Sequence, residues 1–108
     1  MAQVIECTSN MDYQAAIGNA GEKLLIVEFY AEWTTPSQVL SNELSSYLKS
    51  LPDSVHLRVN FDSCPEVFQK YSVNILPWVK VIKNGQEIGD IKGACFYKIK
   101  QLIEDNYY

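Results

Sequence analysis

The stretch Trp33-Thr34-Thr35-Pro36-Ser37 places three hydroxyl side chains beside an aromatic ring and a proline. A serine or threonine hydroxyl becomes a nucleophile only when a base is positioned to take its proton. The only histidine, His56, lies in a different predicted element, and no motif links it to this stretch. We therefore expect His56 to be a strand residue with a packing or surface role, and we expect no hydrolytic chemistry.

Three cysteines, Cys7, Cys64 and Cys95, are the other side chains that could do chemistry. They are far apart, no Cys-x-x-Cys pair is present and no histidine lies near them, so neither a disulfide framework nor a zinc site is expected. Cys64 precedes Pro65 at a predicted helix start, where first-turn amides favour a thiolate. We regard Cys64 as the candidate reactive thiol, although buried or incidental cysteines are commoner.

The composition limits the classes of function. With 108 residues, 47% hydrophobic and 20% charged, the chain is predicted to form one domain over residues 1–108. A net charge of −4 argues against nucleic acid or a membrane surface as the partner. The first residues lack the features of a signal peptide, and no run is long enough to span a bilayer. We expect a cytoplasmic protein, a monomer or weak homodimer, without cofactor or metal.

The spacing of apolar residues alternates between strand and helix periods along the chain. The almost continuously apolar segment 24–30 predicts a central parallel strand covered on both sides. Asn84-Gly85 predicts a hairpin. The predicted strands are 4–7, 24–30, 55–61, 78–83 and 86–92, and the predicted helices are one from Ser9 or Asn10 to Ala20, 36–51, 65–71 and one beginning near Phe96. This is an α/β fold with a mixed sheet of three parallel strands and a C-terminal antiparallel hairpin, flanked by four helices.

Four separated motifs, in this order, resemble those of the thioredoxin family. Trp33 to Ser37 resembles the redox turn Trp-Cys-x-Pro-Cys, and Ile75-Leu76-Pro77 resembles the loop with the family's cis-proline. Lys83-Asn84-Gly85 is similar to its hairpin, and Lys92-Gly93-Ala94 to the glycine turn beside the active site. The resemblance spans essentially the whole chain and implies a thioredoxin fold.

A finer resemblance lies within the family. Leu51-Pro52, the segment 64–71 and Gly93-Ala94 are most similar to the thioredoxin-type domains that precede monothiol glutaredoxin modules.

Thr34 and Ser37 stand where the family has its two sulfurs. A cysteine pKa of about 8.5 falls by roughly one to several units at a helix N-terminus, which makes a thiolate available near neutral pH. Hydroxyl groups are far less acidic and cannot form the mixed disulfide through which thiol exchange proceeds. We therefore expect no dithiol catalysis by this turn, and we predict that the chain is not an enzyme.

The resemblance also implies a surface that docks an extended protein or peptide segment. A cis X-Pro bond would keep the backbone of Leu76 free to pair with such a segment. Trp78, where the family commonly has a small polar residue, is predicted either to fill or anchor this surface or to pack in the core. We predict a protein-binding or regulatory module, with the binding residues Trp33, Thr34, Pro36, Leu76, Pro77, Trp78 and Gly93.

Glu28 lies among apolar neighbours at the position of the family's buried acid. Burial would raise its pKa, and a nearby cation would oppose that shift. Arg58 stands where many family members have a lysine close to this acid. We predict a structural pair between Glu28 and Arg58.

Two alternative functions follow from the same residues. The chain could be a monothiol redox protein or sensor that uses Cys64 or Cys95. It could also be a thioredoxin oxidoreductase in which mutation of a Cys-Thr-Pro-Cys turn has removed the activity.

Overall fold

The computed structural model describes residues 3–107, so residues 1, 2 and 108 of the predicted domain lie outside the described residues. The described elements alternate as the apolar periods predict. The strands are β1 (Gln3–Cys7), β2 (Leu24–Tyr30), β3 (Ser54–Asn60), β4 (Trp78–Lys83) and β5 (Gln86–Lys92), and the helices are α1 (Asn10–Ala20), α2 (Thr35–Leu48), α3 (Pro65–Lys70) and α4 (Phe96–Tyr107).

One five-stranded sheet has the order β1-β3-β2-β4-β5. β3 is parallel to both β1 and β2, whereas β4 is antiparallel to β2 and β5. Asn84 and Gly85 have positive φ angles of 53° and 78°, the backbone geometry that a tight hairpin turn requires and that these two residue types tolerate. The predicted mixed sheet and its hairpin are confirmed.

The two faces of the sheet carry separate apolar cores, because successive strand residues point to opposite sides. The face that we call the α1 face packs α1 and α3 against residues such as Phe29 and Leu57. The other, the α2 face, packs α2 and α4 against residues such as Ile26 and Val81. Every residue of β2 is buried, as expected for a central strand. Within residues 3–107, no helix combines the length and apolarity needed to cross a membrane.

Helix α2 ends at Leu48, three residues before the predicted end at Leu51. The N–H groups of Ser50 and Leu51 bond to carbonyls three residues earlier, so the chain tightens into turns after the helix. Leu51 remains buried. Its apolar character therefore belongs to the core rather than to the helix, a distinction that spacing cannot make.

Candidate functional site

The turn Trp33 to Ser37 connects the carboxyl end of β2 to the first residues of α2. The Thr34 side chain is the N-cap of α2, because its Oγ1 accepts a hydrogen bond from the Ser37 N–H at 3.2 Å. Ser37 is completely buried, and its Oγ accepts a bond from the Ala31 N–H at 3.3 Å. Both hydroxyls thus bond to the backbone and stabilise the helix entry.

His56 is not a base for either hydroxyl. Its Nε2 lies 2.8 Å from Oε1 of Glu28, and its buried Nδ1 has no hydrogen-bond partner among residues 3–107. The hydroxyls of Thr34 and Ser37 bond instead to backbone groups of Ala31 and Ser37. The arrangement therefore gives no activated hydroxyl nucleophile.

The loop at Pro77 lies beside this turn. The Leu76–Pro77 peptide bond is cis. Pairing of Phe29 with Trp78 across β2 and β4 brings the loop to the end of β2 from which the turn begins. The Gly93 N–H bonds to the Pro77 carbonyl at 2.8 Å, and its φ of +98° is one that glycine adopts without strain. We call the segments 33–37, 76–78 and Gly93 the turn–loop surface.

The Trp78 side chain lies beneath this surface and is not an exposed anchor. Its side chain is 9% exposed and lies in the α1-face core, with its ring 6.0 Å from that of Phe29. Its Nε1–H donates to Asp90 at 2.8 Å, which satisfies the one polar atom of the indole. Of the two predicted roles for Trp78, the structure favours core packing over a surface anchor, because a ring of this size is stabilised by burial once its N–H has a partner.

The buried acid Glu28 lies on the α2 face, beneath the first turns of α2. Its Oε1 is 2.8 Å from Nε2 of His56 and 3.4 Å from Nε of Arg58, and the Ser41 hydroxyl donates to Oε2. Arg58 also bonds to Glu6 at 2.8 Å. The carboxylate is therefore balanced by several donors, of which His56 is closer than the predicted Arg58.

These donors reverse the effect of burial on the pKa of Glu28. Burial by itself raises the pKa of Glu28, but the hydrogen bonds from His56 and Ser41 and the charge of Arg58 bring that pKa below its ordinary value. His56 was missed as a partner of Glu28. Strand alternation could have found it, because His56 and Arg58 are two residues apart on β3 and share the face of Glu28.

A pocket of about 350 Å³ opens between this network and the turn. Solvent in it reaches the half-buried Ser41 and Arg58, whereas Glu28 behind them is fully buried. Its remaining lining comes from Tyr30, Ala31, Glu32, Gln38 and Asn42.

The family model described as Thioredoxin matches residues 4–105. The chain belongs to the thioredoxin family. A thioredoxin of Echinococcus granulosus is 36% identical over 86 residues, 80% of each chain, and that of Sus scrofa is 30% identical over 102 residues, 94% of this chain and 97% of the relative. The crystal structure of Fasciola hepatica thioredoxin superposes with a TM-score of 0.87 at 26% identity, covering 96% and 98% of the two chains. The predicted thioredoxin fold is confirmed.

These relatives correct the prediction that the chain is not an enzyme. They are thioredoxins, a family of redox-active oxidoreductases, so the comparison favours an enzyme. The prediction depended on Thr34 and Ser37, which carry no sulfur. It gave too little weight to thiols elsewhere in this thioredoxin-family chain.

The cysteines differ sharply in environment. Cys64 is fully buried, its Sγ donates to the Cys7 carbonyl at 2.8 Å, and burial raises its pKa to about 12. The expectation of a thiolate at Cys64 is therefore wrong, because loss of solvent outweighs the amides of a helix only six residues long. Cys95, in contrast, is exposed at the start of α4. Among residues 3–107, no group of three His, Cys, Asp or Glu side chains could hold a metal ion.

Proposed function

We propose that this thioredoxin-family chain binds an extended segment of a partner protein at the turn–loop surface. One observation carries the proposal. Among residues 3–107, the N–H and C=O of Leu76 have no hydrogen-bond partner, although the Leu76 side chain packs on the α1-face core. A backbone fixed in place with unpaired polar groups is suited to pair with an added strand.

Exposed aromatic and aliphatic side chains support the same proposal. Trp33 is 65% exposed, and its ring makes an edge-to-face contact with Phe61 at 6.2 Å. Ile75, immediately before the unpaired backbone, is also exposed. Large apolar groups beside free backbone polar groups favour a segment that alternates backbone pairing with apolar side chains.

A single sulfur introduced into the turn tests this proposal. In the Thr34→Cys/Cys95→Ser double variant, Ser37 cannot resolve a mixed disulfide, so an exchange product accumulates. The probe is a short unstructured peptide with apolar residues around one cysteine, and the sulfur of this cysteine forms a disulfide with pyridine-2-thiol. The new sulfur attacks the peptide sulfur, the original disulfide breaks, and the released thione is measured by absorbance.

The reaction rate is expected to saturate with peptide concentration, because binding precedes exchange. The matched control is Val4→Cys/Cys95→Ser, since Val4 is exposed on the edge strand β1. For each variant, the rate with the peptide is divided by the rate with the symmetric disulfide of pyridine-2-thiol, which carries no peptide. This division removes differences in thiolate fraction between the variants. We expect this ratio to be at least about tenfold higher for the Thr34 variant. Binding at this surface would be refuted by a reaction rate that rises linearly with peptide concentration and by equal ratios in the two variants.

Cys95 supports a second candidate function, monothiol exchange. It is the exposed cysteine of the three, it lies two residues after Gly93, and its carbonyl accepts the Ile99 N–H in the first turn of α4. In this reaction the Cys95 thiolate forms a bond to one sulfur of a substrate disulfide, and the other sulfur leaves as a thiolate. A small thiol such as glutathione then attacks the mixed disulfide and regenerates Cys95.

Wild type and Cys95→Ser are compared for glutathione-dependent reduction of a peptide disulfide. The candidate requires turnover above the uncatalysed rate in wild type and its loss in Cys95→Ser. Cys64→Ser serves as the matched control, because its buried sulfur is not expected to contribute. Equal turnover in wild type and Cys95→Ser would exclude Cys95 as the exchanging thiol.

A cytoplasmic location is part of the same proposal. It is supported by the three cysteines, which form no disulfide in the described structure. Cell fractionation with an antibody against the chain tests it, and recovery with secreted proteins would contradict it.

A further inference from the structure

Cys7 and Cys64 are 57 residues apart in sequence but adjacent in the structure. β1 and β3 are parallel, so their carboxyl ends meet at one edge of the sheet, where Cys7 ends β1. The Cys64 N–H bonds back to the carbonyl of Asn60, the last residue of β3, at 2.9 Å. This turn directs the Cys64 thiol to the Cys7 carbonyl at 2.8 Å, whereas the Cys7 thiol donates to the Ser9 carbonyl at 3.1 Å. The two thiols lie close enough for each to shift the pKa of the other.

We propose that Cys7 and Cys64 form a redox-sensitive dithiol that a small uncharged hydroperoxide oxidises to an intramolecular disulfide. The proposal rests on the position of the Cys64 sulfur, 2.8 Å from the carbonyl oxygen of Cys7, and on the ends of β1 and β3, which hold the two residues side by side. It does not depend on the turn–loop surface or on Cys95.

The roles of the two sulfurs differ. Burial raises the pKa of both thiols, but interactions with Ser9 and Cys64 partly offset this for Cys7, whereas the proximity of Cys7 raises the pKa of Cys64 further. Cys7 is therefore the first to ionise. With hydrogen peroxide, the Cys7 thiolate attacks one oxygen, the O–O bond breaks and a sulfenic acid forms on Cys7, while the other oxygen leaves as hydroxide and takes up a proton to become water. Cys64 then attacks that sulfur, a second water leaves, and the S–S bond forms. Two thiols are oxidised and one peroxide is reduced.

Access to the pair requires local opening, since Cys7 is 2% and Cys64 0% exposed. The elements that cover them are peripheral: β1 is an edge strand, and α3 has six residues. Such elements open at lower free energy than a central strand. Asp12 and Glu66 lie close enough to disfavour negative charge at both sulfurs. A neutral hydroperoxide is therefore preferred over an anionic disulfide such as oxidised glutathione.

The test treats the folded Cys95→Ser chain with hydrogen peroxide and maps its peptides without reduction. We expect a cross-linked pair of peptides containing Cys7 and Cys64, the loss of two titratable thiols per molecule and no increase in molecular mass by sedimentation. In Cys7→Ala and Cys64→Ala, each in the same background, this cross-link is absent and the remaining thiol is slow to oxidise.

Two results would overturn the proposal. One is recovery of the Cys7 and Cys64 peptides in unmodified form under conditions in which peroxide fully oxidises Cys95 of the wild-type chain. The other is cross-linking between molecules instead of within one. The decisive measurement uses a chain that keeps both cysteines, so a folding defect in either alanine variant leaves the test intact. Oxidised glutathione at equal concentration is expected to give less cross-link, and equal or greater yield would refute the preference for a neutral oxidant.

Discussion

The two faces of the sheet hold buried polar groups in opposite ways. The α1 face buries two neutral thiols, Cys7 and Cys64, whose pKa values are raised. The α2 face buries a carboxylate, Glu28, whose pKa is lowered by donors on β3 and α2. All three side chains are almost completely inaccessible to solvent. The difference lies in the number of donors, and it shows that burial alone does not decide whether a group is charged.

This contrast bears on where redox chemistry is possible in the chain. The charged network lies beneath the turn, where Thr34 and Ser37 offer no sulfur. The thiols of Cys7 and Cys64 lie on the opposite face, where no cationic side chain of residues 3–107 lowers their pKa values. The buried acid and the two buried sulfurs of this chain are thus separated by the sheet.

The largest expected effect comes from removing the acid of the α2 face. Glu28→Ala leaves His56 and Arg58 without the carboxylate that they share, and breaking a buried pair costs about 3–5 kcal/mol. We expect the free energy of unfolding in urea to fall by that amount. Glu43→Ala, on an exposed position of α2, is the control and should change it by less than about 0.5 kcal/mol. Equal losses in both would mean that the network contributes nothing.

The pH dependence of stability sharpens this test. Because the folded-state pKa of Glu28 is below its ordinary value of 4.5, the carboxylate stabilises the fold above that pH. The contribution is lost as the pH falls below 4.5 toward the folded pKa. The difference in unfolding free energy between wild type and Glu28→Gln should therefore shrink as the pH falls below 4.5. A difference that grows with acidity would contradict a lowered pKa.

On the α1 face, replacing a neutral thiol is expected to have a smaller effect. Cys64→Ala loses one hydrogen bond to the Cys7 carbonyl and leaves a small cavity, which together cost about 1–2 kcal/mol. Urea unfolding under reducing conditions measures this loss. A loss as large as that of Glu28→Ala would remove the distinction between the two faces.

The smallest effect concerns the turn itself. Thr34→Ala removes the N-cap hydroxyl that accepts from the Ser37 N–H, at a cost of about 1 kcal/mol. Thr34→Ser retains the capping oxygen and should be about as stable as wild type. If Thr34→Ala were as stable as wild type, the N-cap hydrogen bond would contribute nothing to stability.

Much of the fold could be predicted from local patterns. The continuous apolar run of β2, the Asn84-Gly85 turn and the helix entry at Pro36 each depend on neighbouring residues, and each lies where expected. The end of α2 was predicted too far along because Leu51 is apolar for tertiary reasons.

The site was less predictable because its contacts cross the sheet. Arg58 was anticipated by family resemblance, but the closer partner, His56, required the register between β2 and β3. The pairing of Cys7 with Cys64 required knowing that β1 lies beside β3. The burial of Trp78 depended on Asp90, on the neighbouring strand, as a partner for its N–H.

The contrasting environments of the two tryptophans have a spectroscopic consequence. Trp33 is 65% exposed at the turn, whereas Trp78 is 9% exposed against Phe29. An indole in water emits at longer wavelength than one in an apolar core, so the two contributions to the fluorescence spectrum can be separated by Trp33→Phe and Trp78→Phe. The long-wavelength signal then monitors occupancy of the turn, and the short-wavelength signal monitors the integrity of the core, in one cuvette and without any added label.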